Sequence, residues 1–129
     1  MAHESTNIGG AAESIAKAIF LMNGFSVAEM VVPEPYDLIV GGKDEEGNAV
    51  RFTVQVKTLK IRNDRAGELV VRGAAKDGTP YSAKEVDYLF GVDLRNNVGY
   101  LIRNSEQSEY WSKDFETART KWTELRLGE

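Results

Sequence analysis

Apolar residues first recur at helical spacing. Ile8, Ala12, Ile15, Ile19 and Met22 lie three and four apart, which predicts a helix over 6–23. Thr6 or Asn7 can cap its start, and Asn23-Gly24 supplies a stop. The pattern then turns extended. "FSVAEMVV" reads as a strand, "PEP" interrupts it, and "YDLIV" is a second short strand. "GGKDEEGN" has the Gly, Asp and Asn of a hairpin connection. It leads into "RFTVQVKTLK", where Phe52, Val54 and Val56 alternate with Arg51, Thr53, Gln55 and Lys57. "RNDRAG" predicts a turn and "ELVVRG" a further strand. In "SAKE", Ser82 precedes Glu85 by three residues, a capping-box pattern that predicts a short middle helix. "VDYLFGVDL" and "VGYLIRN" are strands around the turn "RNN". Phe115, Ala118, Trp122 and Leu125 form the apolar stripe of a terminal helix. With no repeat or linker, the order predicts a single α/β domain over residues 1–129.

The polar side of the central strand raises a chemical question. Successive strand residues point to opposite faces, so Gln55 and Lys57 share one face while the valines share the other. That face is either the wet side of an edge strand or the lining of a site. Asp37 opens a strand too apolar to want a carboxylate unless a cation compensates it, the alternative being a solvated strand end. Glu13 is the acid among the Ala-rich and apolar residues of "GGAAESIAKAIF", with simple solvent exposure as its alternative.

Composition narrows the chemistry. The chain has no Cys, which removes disulfides, Cys-ligated zinc and thiol catalysis. Its one His, His3, is near the terminus, which removes Ser-His-Asp hydrolysis and His-dependent nuclease sites. Catalysis is left to carboxylates, amides and Lys. The 16 basic and 20 acidic residues give a net charge of −4. From Arg51 to Arg72, however, six basic residues face only Asp64 and Glu68. This local stripe suits phosphates, or is simply a solvated loop. No apolar run approaches the roughly 20 residues of a membrane span. "MAHESTNIGG" lacks the order of a signal peptide, so a cytoplasmic, intracellular location is expected. Tyr88, Tyr100, Trp111 and Trp122 are expected to pack in the core.

These pieces, in this order, resemble the PD-(D/E)XK nuclease superfamily, closest to its Holliday-junction-resolvase-like and group I intron homing endonuclease branches. "IGGAAESIAKAIFLMNGFSV" looks like the opening helix, "EPYDLIV" like the motif holding the acidic metal ligand, and "VQVKT" like (D/E)-x-K. "YSAKEVDYLFGVDLRNNVGYLI" matches the later segment, so the similarity runs from Ile8 to Arg103. Two departures stand out: Tyr36 replaces the name-giving Pro, and Gln55 replaces the usual acid, as also occurs in the intron-encoded branch.

The resemblance implies a restriction-endonuclease-like core, a central mixed β-sheet flanked by helices. It implies a Mg²⁺-dependent DNA endonuclease, with Mn²⁺ as a substitute. Asp37, Gln55, Glu13 and the Val56 backbone carbonyl would hold the metal, and Lys57 would act on the attacking water or on developing charge. Lys60, Arg62, Arg65 and Arg72 would track phosphates, with Tyr81 and Lys84 at the start of the middle helix as further contacts. Symmetric cutting implies a homodimer or tetramer. A non-catalytic nucleic-acid-binding module and a protein-binding inhibitor of the same fold are the alternatives.

Overall fold

A computed structural model describes residues 4–128, and His3 lies outside them. Its first element is α1 (Glu4–Met22), followed by β1 (Ser26–Glu29), β2 (Leu38–Lys43) and β3 (Ala49–Thr58). Next come β4 (Lys60–Arg62), a 3₁₀ turn, β5 (Glu68–Arg72), β6 (Tyr88–Asp93) and β7 (Val98–Arg103). The chain ends with β8 (Glu109–Ser112), α2 (Phe115–Lys121) and β9 (Thr123–Arg126).

Six strands make a mixed sheet in the order β1-β2-β3-β6-β7-β9, in which only the β3–β6 pairing is parallel. The long segment between β3 and β6 is what a parallel pairing requires. Part of that segment, joined by β8, forms a second sheet, β4-β5-β8. The result is a central mixed sheet with two helices, as the sequence implied.

The period-two alternation of β3 divides two cores. Val54 and Val56 pack with Leu38, Val40, Phe90 and Val92 against Ala12, Ala16, Ile19 and Phe20 of α1. The opposite face places Leu89, Tyr100 and Ile102 against Leu69 and Val71 of the second sheet, with Tyr110, Ala118 and Trp122. Gly91 is required at this junction, because a Cβ there would lie 2.5 Å from Val71 Cγ2. Gln55 and Lys57 stand opposite Leu89 and Gly91, so they share this second face.

Several boundaries differ from the sequence reading. The first helix starts at least two residues earlier, so Thr6 and Asn7 lie within it and cap nothing. Ile8 and Met22 are exposed, and Ala16 and Phe20 complete its buried stripe instead. Its stop is as expected: Gly24 adopts φ +86°, and Phe25 N–H bonds back to the Phe20 carbonyl. "MVV" does not continue β1, and Val31 is fully exposed. Gly41-Gly42-Lys43 extend β2 and leave a tighter turn, in which Asp44 accepts the amides of Glu46 and Asn48. The expected middle helix is a single turn, Val86 N–H to Ser82 C=O. Val86 is fully buried and β6 begins two residues later, so no length remains for a helix. The terminal helix stops at Lys121 because β7 needs a partner. Trp122 is already extended, and Leu125 pairs with Gly99.

Candidate active site

The geometry of the site starts where β2 and β3 part. Leu38 is the last residue of β2 paired to β3, opposite Val54. Asp37, one residue earlier, clamps the strand that continues past it. Its backbone N–H donates to the Val54 carbonyl at 2.9 Å, and its Oδ2 accepts the Val56 N–H at 2.9 Å. The carboxylate thus satisfies a backbone donor on both sides of which lie candidate functional residues, Gln55 and Lys57.

Glu13 borders the same place from α1, and it is solvent-exposed there, as its alternative reading held. Two turns of helix separate it from Phe20, and it lies in a cleft of ≈ 470 Å³ with Lys17, Glu29, Tyr36 and Asp37. Its carboxyl is held above its ordinary range, first by desolvation and then by the charge of Asp37. Asp37 is also raised, by burial, against the opposing pull of the Val56 hydrogen bond and of Lys57. Burial is thus the main reason both carboxyls are raised, and the Asp37 charge adds to the shift of Glu13. Two neighbouring carboxyls that burial and like charge discourage from ionising form a site that a cation would suit.

Lys57 lies on the other side of Asp37. Its Nζ approaches the Ala74 carbonyl at 3.5 Å and sits 5.0 Å from the centre of the Tyr81 ring. Carbonyl and aromatic face together fix the position of the amino group. The Tyr81 segment is anchored in turn. Asn104, buried, donates Nδ2 to the carbonyls of Tyr81 and Val86 at 3.0 and 2.9 Å, and its Oδ1 accepts from Tyr110 Oη.

Gln55 makes no side-chain hydrogen bond among the described residues, is partly exposed, and follows Val54 and precedes Val56 on β3. The available donors are therefore the two carboxylates, the Gln55 amide oxygen and the Val56 carbonyl. All are hard oxygens, the chemistry that suits Mg²⁺ or Mn²⁺. No cluster of three or more His, Cys, Asp or Glu side chains that could hold a metal occurs among the described residues. The residues fit a hard divalent ion with one negative charge fewer than a three-carboxylate site.

The structure thus unites Glu13, Asp37, Val56 and Lys57, with Gln55 between the two residues that Asp37 clamps. It separates the expected phosphate contacts into two kinds. Arg62 is paired with Asp64 at 2.7 Å, and Arg65 is held by Glu68 and Glu109. Lys60 and Arg72 have no carboxylate partner among the described residues. Arg72 donates to the carbonyls of Ala74 at 3.1 Å and Ala75 at 2.6 Å. Tyr81 lies beside Lys57 rather than on a helix, and Lys84 is exposed on the turn that replaces that helix.

Sequence reasoning missed Lys17, which partners Glu13 electrostatically and pairs with Glu29. The four-residue spacing from Glu13 on one helix was the available signal. Trp111 also departs from its expected core position: it is 48% exposed, whereas Tyr100 and Trp122 are buried. Tyr88 is half-buried, its ring 5.1 Å from that of Phe52.

No protein-family model and no curated protein sequence matches the chain. Among solved structures, it is similar to a bacterial homing endonuclease, I-Ssp6803I, with a TM-score of 0.72 at 19% identity, over 93% of this chain and 89% of that one. At this identity the likeness establishes a shared architecture, so the chain has the mixed α/β fold of that nuclease.

Proposed function

We propose that this chain is a metal-dependent DNA endonuclease of the PD-(D/E)XK type, a variant with Gln55 at the second acidic position, that hydrolyses phosphodiester bonds. The observation that carries the reading is the Glu13–Asp37 carboxyl pair beside Lys57, at the parting of two strands, in a fold shared with a homing endonuclease. Asp37, Glu13, the Gln55 amide and the Val56 carbonyl would hold Mg²⁺ or Mn²⁺. A bound divalent ion would supply charge neutralisation at the phosphate and a more acidic water. Asp37 keeps its orientation through Val56 N–H, so the carboxylate is fixed before any ligand arrives. Lys57, set against the Ala74 carbonyl and the Tyr81 ring, acts as an electrostatic stabiliser of charge developing on phosphate oxygens. Lys60 and Arg72 position the backbone without reading sequence.

The target is either a branched structure, as for a junction resolvase, or a specific duplex site, as for a homing enzyme. Cutting both strands calls for two copies, so a homodimer or tetramer is the natural assembly. No helix among the described residues is long and apolar enough to cross a membrane. A binding module without catalysis is the second reading, favoured by the presence of only two carboxylates at the site.

The test is cleavage of labelled single strands, duplexes, forks and four-way junctions in Mg²⁺ and Mn²⁺, beside Lys57→Ala. The expected result is metal-dependent cutting of at least one substrate, lowered about 100-fold or more in the variant. Binding without cutting in every metal would establish the second reading, and equal rates for both proteins would remove Lys57 from the chemistry.

A further inference from the structure

The outer face of the second sheet carries a tryptophan that neither core uses. Trp111 is in register with Val70, and Val70 with Lys60 on its other side, so these three side chains share one face. Two residues along β5, Arg72 lies on the same face opposite Glu109. Trp111 is 48% exposed, against 9% for Trp122. Lys121 Nζ sits 4.7 Å from the centre of the Trp111 ring and donates to the Trp111 carbonyl.

The charges around this ring are not balanced. Arg65 already holds Glu68 and Glu109, and Arg62 holds Asp64. Lys60, Arg72 and Lys121 have no carboxylate partner among the described residues. A groove of ≈ 360 Å³ lies on this face next to Val70, the strand neighbour of Trp111, and its charged lining is Lys60, Arg62, Arg72 and Glu109, the last already held by Arg65. The Ala74 carbonyl accepts from both Arg72 and Lys57, so the face begins beside the candidate active site.

The geometry points to a stacking platform: an unpaired nucleotide of the DNA substrate lies on Trp111, while Lys60, Arg72 and Lys121 hold the adjoining phosphates. The inference rests on the nuclease reading and narrows its substrate to DNA that offers an unstacked base near the cut. A duplex hides its base faces within the stack, so a flat indole on a sheet can take only a base that has left it. An indole flanked by unpaired cations matches the combination of π-face and phosphate that a single strand presents and a purely apolar partner does not. Every base has such a face, so the platform tolerates any sequence and selects for structure.

The test titrates the full chain, in Ca²⁺, with labelled oligo-dT and with a blunt hairpin duplex, reading anisotropy of the DNA and tryptophan emission. Oligo-dT is expected to quench the emission, and Trp111→Ala to abolish most of the quench. The same variant should weaken oligo-dT binding about tenfold, since one stacked base contributes about 1–3 kcal/mol, and weaken the duplex less. Trp111→Phe, which keeps an aromatic face, should restore most of the affinity. Equal weakening for oligo-dT and duplex, or Phe behaving as Ala, overturns the platform. So does duplex cleavage by a wild-type protein that ignores oligo-dT, and that outcome leaves the nuclease reading standing. A protein that binds neither DNA overturns both.

Discussion

Asp37 has two jobs that different substitutions pull apart. Its Oδ2 accepts the N–H of Val56, a residue only 7% exposed, and its charge stands against Glu13. Asp37→Asn keeps an acceptor for Val56 and removes the charge. Asp37→Ala removes both and leaves a buried donor unmade. A bond from N–H to a charged acceptor contributes about 1.5–3 kcal/mol and to a neutral one about 0.5–1.5, whereas an orphaned donor costs about 1–3. The alanine variant should therefore be less stable than the asparagine variant by about 1–2 kcal/mol, or about 4–7 °C in Tm for a chain of this size. Both should lose cleavage. The asparagine variant should match or exceed the wild type in metal-free buffer near neutral pH, because a charge that burial disfavours is gone, and with it the repulsion that Asp37 exerts on Glu13. The pH dependence has a definite sign. Asp37 and Glu13 both titrate above their usual values of 3.8 and 4.5. The unfolded chain ionises first, so stability is fully present below those values and is lost as pH rises through the raised folded ones. The advantage of Asp37→Asn should accordingly shrink on acidification toward pH 3.8. Divalent metal should reverse the ranking at neutral pH, adding about 2.7 kcal/mol to the wild type at a hundredfold excess over Kd. Thermal melts of the three proteins, with and without Mg²⁺, at several pH values, measure all of this. Asparagine and alanine variants that melt together would refute the role of the Val56 bond. A wild-type deficit unchanged with pH would refute the carboxyl pair.

Two further outcomes follow from the neighbours of Asp37. Gln55→Glu should tighten Mg²⁺ and Mn²⁺ binding in a calorimetric titration and lower metal-free stability by adding a third carboxylate, and unchanged affinity would place Gln55 outside the ligand set. Tyr81→Phe should leave the cleavage rate near wild type because the ring stays over Lys57, whereas Tyr81→Ala should lower kcat about two- to fivefold with KM little changed, in keeping with a partly exposed cation–π contact of about 0.5–1 kcal/mol; an effect on KM alone would make Tyr81 a DNA contact instead.

The sequence by itself determined the elements whose periodicity is strong and whose faces are chemically distinct. The first helix, the strand through Gln55 and Lys57, and the paired strands after Val86 were legible because apolar burial on one side left an unmistakable spacing. The acidic and basic residues of the site were legible as types at those spacings, including Asp37 at a strand end and Lys57 on a polar face. Element ends and short late elements were not. Val86 is buried and β6 begins two residues later, which cut the middle helix to one turn. The edge of β7 recruited Thr123–Arg126 as a strand against a helical stripe, because unpaired backbone groups at a sheet edge outweigh a weak local preference. Only the tertiary structure decided that Glu13 and Asp37 border one cleft, that Asp37 clamps Val56 next to Lys57, and that Asn104 holds Tyr81 over Lys57. It also decided which cations of the basic stripe are already paired with carboxylates and which are not. Those outcomes depend on contacts between residues far apart in the chain, and no local pattern carries their distances.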